Sequence, residues 1–187
     1  MLRFLQFLAP AALLAAPWAR SAPGQSPPAS EYQLKAAFLF NFARFVEWPA
    51  ERSRSEGAPI IIGILGEDPF GEAFGPLLNK TISGRPLAVR RFTRMEEIRI
   101  CQVLFVSSSH RKQLPRILEE AGRTAVLTVG ETDSFAERGG MIQFLLEDNK
   151  VRFEVNVEAA DKAGLKISSK VLTLARRVWG QNQGAGR

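Results

Sequence analysis

Glu67 and Asp68 stand side by side, Ser107, Ser108 and Ser109 run into the only histidine, His110, and a further carboxylate stands at Glu131. Carboxylates beside a histidine can move protons in acid–base catalysis. Serine hydroxyls and the amides that open a helix can hold an anion. The same residues also have a plainer use. Glu67 and Asp68 ahead of Pro69 form a turn and cap a helix, and the serine run caps another. Gly63, Gly66 and Gly71 fit neither G-x-G-x-x-G nor G-x-x-x-x-G-K-[ST], and the lysine of the second motif is missing. One histidine and one cysteine do not make a zinc site, no spaced carboxylate loop suggests calcium, and no G-x-S-x-G elbow occurs. Glu67, Asp68, Ser107, Ser108, Ser109, His110 and Glu131 are therefore expected to form a ligand rim, with no catalytic residue, metal or cofactor assigned.

A second group lies near the start of the chain. Glu31 to Glu47 has helical spacing, ended by Pro49. Leu34, Phe38, Leu39, Phe42, Phe45 and Val46 share one face, and Gln33, Asn41, Arg44 and Glu47 the other. Phe40 falls among the polar residues. Such a phenylalanine is either covered by another part of the chain or left as an apolar anchor for a partner. Phe40, Arg44 and Trp48 are accordingly the candidate partner-binding residues.

The elements that must position these groups alternate along the chain. Pro59 to Leu65 is an apolar strand, followed by a turn and a helix over Phe70 to Asn79. Pro86 to Phe92, Gln102 to Val106 and Thr124 to Val129 are further strands. A helix runs from the serines to Ala121, with Pro115 marking a kink or a restart. Near-continuous apolar strands alternating with helices imply a mostly parallel sheet with helices on both faces. The rim would lie at the carboxyl ends of its strands.

The most regular pattern is C-terminal. Met141 to Leu146 and Val151 to Val157 form two strands joined at Asp148 and Asn149, which tolerate the left-handed backbone of a two-residue hairpin. Val151, Phe153, Val155 and Val157 point inward, while Arg152, Glu154 and Asn156 point the other way, so Glu154 is expected to matter little for stability. Glu158 to Ala163 is a short helix closed by Gly164. Ser168 is expected to cap a last helix with Val171, Leu174, Ala175 and Val178 as its stripe and Arg176 and Arg177 at its cation-favouring end.

The 187 residues, 45% apolar and 24% charged, suit a single domain of ordinary size, the fold class being α/β with a C-terminal antiparallel hairpin. Residues 1–21 read as a signal peptide, 22–30 as a flexible leader, 31–179 as the domain and 180–187 as a disordered tail. The apolar run from Phe4 to Ala16 is shorter than the roughly 20 residues of a spanning helix. A mature protein that is exported and does not span the membrane is expected. Without Arg3 and Arg20 the net charge falls from +6 to +4. Arg85, Arg90, Arg91, Arg94 and Arg99 form the one loose basic cluster, read as a solvated face and not as a nucleic-acid site. Cys101 is the only cysteine, so no intramolecular disulfide forms, and its apolar neighbours imply a buried thiol.

Tyr32 to Pro49 (YQLKAAFLFNFARFVEWP), Ile62 to Phe70, Cys101 to Ser107 and Ile167 to Ala175 (ISSKVLTLA) together resemble the YfiR-like family of exported bacterial proteins. The resemblance runs from about Glu31 to Val178. It implies a periplasmic repressor that binds the periplasmic portion of an inner-membrane diguanylate cyclase, lowering cyclic di-GMP and exopolysaccharide output. The repressor that names the family carries redox-responsive disulfides, a mode that Cys101 alone does not allow. The expected function is regulation by protein contact, with an inner-membrane signalling protein as partner and a homodimer left open. The alternatives are a periplasmic small-ligand sensor serving a membrane kinase or transporter, and an enzyme using Glu67, Asp68 and His110.

Overall fold

The computed structural model describes residues 30–50 and 57–180. The expected signal peptide, all of the leader but Ser30, and the tail from 181 onward lie outside those residues. Helix α1 (Glu31–Phe45) opens on a reciprocal cap: Ser30 Oγ accepts from the Gln33 amide at 3.3 Å, and Gln33 Oε1 accepts from the Ser30 amide at 2.7 Å. It ends where Val46 turns extended and enters the two-residue strand β1 (Val46–Glu47). That strand pairs antiparallel with β9 (Lys166–Ile167).

The main sheet holds β2 (Ile60–Leu65), β3 (Thr81–Ile82), β4 (Arg85–Phe92), β5 (Val103–Val106), β6 (Leu127–Gly130), β7 (Ile142–Glu147), β8 (Lys150–Asn156) and β10 (Arg177–Trp179), in the order β10-β8-β7-β6-β5-β2-β4-β3. Only β7·β8 and β3·β4 are antiparallel; every other neighbouring pair is parallel. The mixed, mostly parallel α/β domain expected from the pattern is the observed one. Period-2 alternation sorts each central strand between two cores. Ile60, Ile62, Ile64, Val103 and Phe105 join Leu39 and Phe42 of α1, while Ile61, Leu65, Leu104 and Val106 join Leu114, Ile117 and Ala121 of α2 (Leu114–Arg123) on the opposite face.

The hairpin turns through Asp148 and Asn149 at φ 48° and 59°, with Glu147 opposite Lys150. Helix α3 (Val157–Lys162) takes over one residue earlier than expected, Asn156 Oδ1 accepting from the Ala159 amide at 2.9 Å, and Gly164 closes it at φ +73°.

Three expectations are corrected. Phe70 to Asn79 forms turns with a single 3-10 turn at Gly75–Leu77, because Gly71, Gly75 and Pro76 interrupt any longer helix. Ser108–Gln113 is likewise 3-10, and the α-helix starts only at Leu114; of the two readings of Pro115 the restart holds, since in the first turn its missing N–H costs nothing. The last helix, α4 (Ser169–Leu172), is one turn long. Leu174, Ala175 and Val178 do not form a helical stripe. Arg177, Val178 and Trp179 instead pair in parallel with Glu154, Val155 and Asn156.

That last strand also overturns the reading of Glu154. It is 6% exposed and accepts from Arg176 Nη1 at 2.8 Å and Trp179 Nε1 at 2.9 Å. Arg176 and Arg177 therefore sit where a carboxylate needs them, with Arg176 also paired to Glu147 at 2.7 Å. Ser168 occupies the N-cap position of α4, but its hydroxyl makes no capping bond and is buried without a hydrogen-bond partner among the described residues.

Candidate functional site

The chain runs from β2 to β4 on one side and then to β5 on the other, so the strand order reverses at β2/β5. In open α/β sheets such a switch point is where ligands bind, at the carboxyl ends of the strands. Those ends carry Gly66 to Asp68 and Ser107 to His110, and the fold brings them together. The Glu67 amide donates to Ser109 Oγ at 3.1 Å, and Ser109 Oγ lies 3.3 Å from both Ser107 Oγ and His110 Nδ1. Ser107 is buried and accepts from the Ser109 amide, while Ser108 is exposed. A Cβ on Gly66, at φ +97°, would fall 2.4 Å from Ser109 Oγ and 2.5 Å from His110 Nδ1. Ser109 and His110 thus pack directly against the Gly66 backbone. Asp68 accepts from the Phe70 amide at 2.8 Å and pairs with Arg91 Nε at 2.6 Å, the work of a turn former.

Glu131, after β6, meets a different group. It accepts from Lys35 Nζ at 2.6 Å and from the Tyr32 hydroxyl at 3.3 Å, and Lys35 also pairs with Glu31. The Lys35 side chain is 4% exposed. Burial by itself lowers the lysine pKa, but the hydrogen bonds and charges of Glu131 and Glu31 more than reverse this and hold it above the ordinary value. Burial, then the Glu131 charge, raises the Tyr32 hydroxyl against the opposing Lys35 charge. The first turn of α1 is thereby fastened to the rim. Lys35 and Tyr32 escaped the sequence reading, although Lys35 stands at i, i+4 and i+7 with Leu39 and Phe42, a lysine within a buried stripe.

Both raised groups favour the fold in their protonated forms, so their contribution is complete below about pH 10, where the unfolded chain begins to lose these protons. It disappears as pH rises through the higher folded values. Stability measured by urea unfolding is expected to fall above about pH 10 more steeply in the parent than in a Tyr32→Phe, Lys35→Met double variant. Equal slopes would mean that the cluster does not titrate with folding.

The second group of residues lies at the other end of α1. Arg44 is exposed, its guanidinium 5.2 Å from the Phe45 ring centre. Arg44 and Trp48 line one hollow of about 560 Å³ with Ser83, Gly84 and Arg85 of the β3–β4 turn. Phe40 and Arg44 line an adjoining one of about 740 Å³ with Lys80. Phe40, for which cover by the chain and a partner anchor were both open, takes the first alternative: it is 8% exposed and belongs to the core with Ile82, with Lys80 Nζ 5.9 Å from its ring centre, so it is not a partner anchor. The reason lies in Ala36 and Ala43. With Leu39 and Phe40 they form an i, i+3, i+4, i+7 stripe, so the buried face is centred beside Phe40. Among the described residues Arg44, Lys80 and Arg85 outnumber Glu47 along the two hollows, which leaves the groove basic on balance. Its chemistry suits an anionic side chain or peptide.

Among the described residues no group of three or more His, Cys, Asp or Glu is placed to hold a metal ion. None of their helices is long and apolar enough to cross a membrane. Cys101 is fully buried, its thiol donating to the Ile98 carbonyl at 3.1 Å.

A family model described as YfiR/HmsC-like matches residues 32–176. No curated protein matches the chain. Among solved structures, a conserved domain protein from Vibrio cholerae O1 biovar El Tor superposes with a TM-score of 0.50 at 14% identity, over 80% of this chain and 60% of that one. The chain thus spans less than two thirds of that structure's length, and the likeness concerns the fold alone. An ABC domain from Streptococcus pneumoniae, solved with L-Trp, superposes at a TM-score of 0.46 and 12% identity over 64% of this chain and 55% of that one.

Proposed function

The chain belongs to the YfiR/HmsC-like family, and from that premise we propose that it is an exported regulator that represses an inner-membrane diguanylate cyclase by binding its periplasmic portion. The observation that carries this reading is the extent of the family match, residues 32–176, which takes in nearly every described element. The site chemistry supports it. Asp68, one carboxylate of the enzyme alternative, is engaged by Arg91, and Glu131 of the rim by Lys35. At the switch point Ser109 and His110 pack against Gly66. The groove of Arg44 and Trp48, in contrast, is open among the described residues, with Arg44, Arg85 and Lys80 against Glu47, and it is the surface best suited to the partner.

Charge reversal at a contact opposes the partner's field without disturbing a core. Arg44→Glu is therefore expected to weaken partner binding at least about tenfold, equivalent to about 1.4 kcal/mol. Cellular cyclic di-GMP should rise toward the level of a deletion strain, with protein abundance and circular dichroism unchanged. An abundant, folded Arg44→Glu protein that still represses fully would remove this groove from the contact.

A further inference from the structure

Strand β4 is paired with β2 from Leu87 to Phe92 on one side, but with β3 only at Arg85 and Pro86 on the other. In a strand, successive residues turn their N–H and C=O to alternate sides. The Phe92 carbonyl accepts from Gly66 on the β2 side, and the Leu87 amide donates to Lys80 on the β3 side. Even-numbered residues of β4 therefore face β2, and Val89 and Arg91 turn their backbone groups outward. Among the described residues no strand pairs with them. Such an edge is a template for one more strand.

The charges along it select the occupant. Arg90 and Arg91 are exposed, on opposite faces of the strand, with exposed Arg94 just beyond. Arg91 and Arg94 are met by Asp68 and Glu97, whereas Arg90 has no acidic partner among the described residues. A second copy pairing here would set the same arginines against each other. An acidic strand would instead meet the unpaired charge of Arg90 on one face. We propose that the outer edge of β4, from Ala88 to Thr93, accepts an extended acidic segment of the protein partner as an added strand. This rests on the regulatory reading in one respect, that the occupant comes from the partner being regulated.

The test uses the mature chain and a seven-residue synthetic peptide alternating glutamate with valine, followed by fluorescence anisotropy. Because the Val89 amide faces outward, Val89→Pro removes a donor to the added strand while leaving every bond to β2. The peptide is expected to bind the parent, and Val89→Pro and Arg90→Glu should each weaken it at least about tenfold, with melting temperatures close to the parent's. Methylating alternate amides of the peptide should weaken binding to the unaltered protein by a similar factor, which decides the matter should Val89→Pro fail to fold. Absence of peptide binding overturns the proposal. So does undiminished binding by the methylated peptide or by folded Val89→Pro. Conversion of a dimer to a monomer by Val89→Pro would give the edge to a second copy and overturn it too. The peptide experiment reads the edge alone and cyclic di-GMP reads the regulatory role, so the two fail separately.

Discussion

Phe153→Ala is expected to lower the unfolding free energy by about 3–5 kcal/mol, as deletion of a buried phenylalanine ring does. The ring is 2% exposed and meets Phe42 and Phe38 of α1 edge-on, with centres 5.1 and 5.3 Å apart, so its loss opens a cavity under the helix. Its neighbour supplies the sharper comparison. Glu154 faces the other side of the sheet, yet it is buried and receives Arg176 and Trp179. Hydrogen bonds to a charged group contribute about 1.5–3 kcal/mol, and Glu154→Ala should cost that much by releasing β10. Exposed Arg152 provides the control, expected within about 0.5 kcal/mol of the parent. Urea unfolding of the three variants gives the order. A Glu154→Ala protein as stable as Arg152→Ala would mean that this carboxylate does not hold β10 to the sheet.

Phe40→Asp is expected to abolish folding. The substitution deletes a buried ring, about 3–5 kcal/mol, and leaves a carboxylate in a site 92% shielded from solvent on the residue's 8% exposure. A domain of this size is stable by about 5–15 kcal/mol, and the combined loss is as large as that margin. One helical turn away, Arg44→Glu should leave the melting temperature near the parent's. Both variants should raise cyclic di-GMP, the first through lost abundance and the second through lost contact. Protein level and circular dichroism separate the two routes. A soluble, folded Phe40→Asp protein would mean that the β3 edge does not cover the ring.

Where the local pattern determines the backbone, the sequence was sufficient. The alternation through Val151, Phe153 and Val155, the Asp148–Asn149 turn and the apolar runs of β2 and β5 all appear as read. Where the outcome depends on what another segment covers, it was not. Val178 fits a helical stripe, yet parallel pairing with β8, helped by the bond from Trp179 to the Glu154 carboxylate, draws it into a strand. Phe40 looked misplaced because alanines carry little weight in an apolar pattern, although Ala36 and Ala43 mark where α1 comes closest to the sheet. Among the site residues, Ser107, Ser109, His110, Glu67 and Asp68 do converge on one rim. Lys35, which binds Glu131 from a distant helix, was visible only as a charge in a buried stripe. Such long-range pairings have no local signature.

Regulation by direct contact is tested most directly by binding of purified protein lacking residues 1–21 to the isolated periplasmic portion of the proposed cyclase partner. A saturable complex with the parent is expected, weakened at least about tenfold by Arg44→Glu, equivalent to about 1.4 kcal/mol, and weaker at high salt because the groove is basic. No complex with the parent at any accessible concentration, with the protein folded by circular dichroism, would contradict regulation by contact.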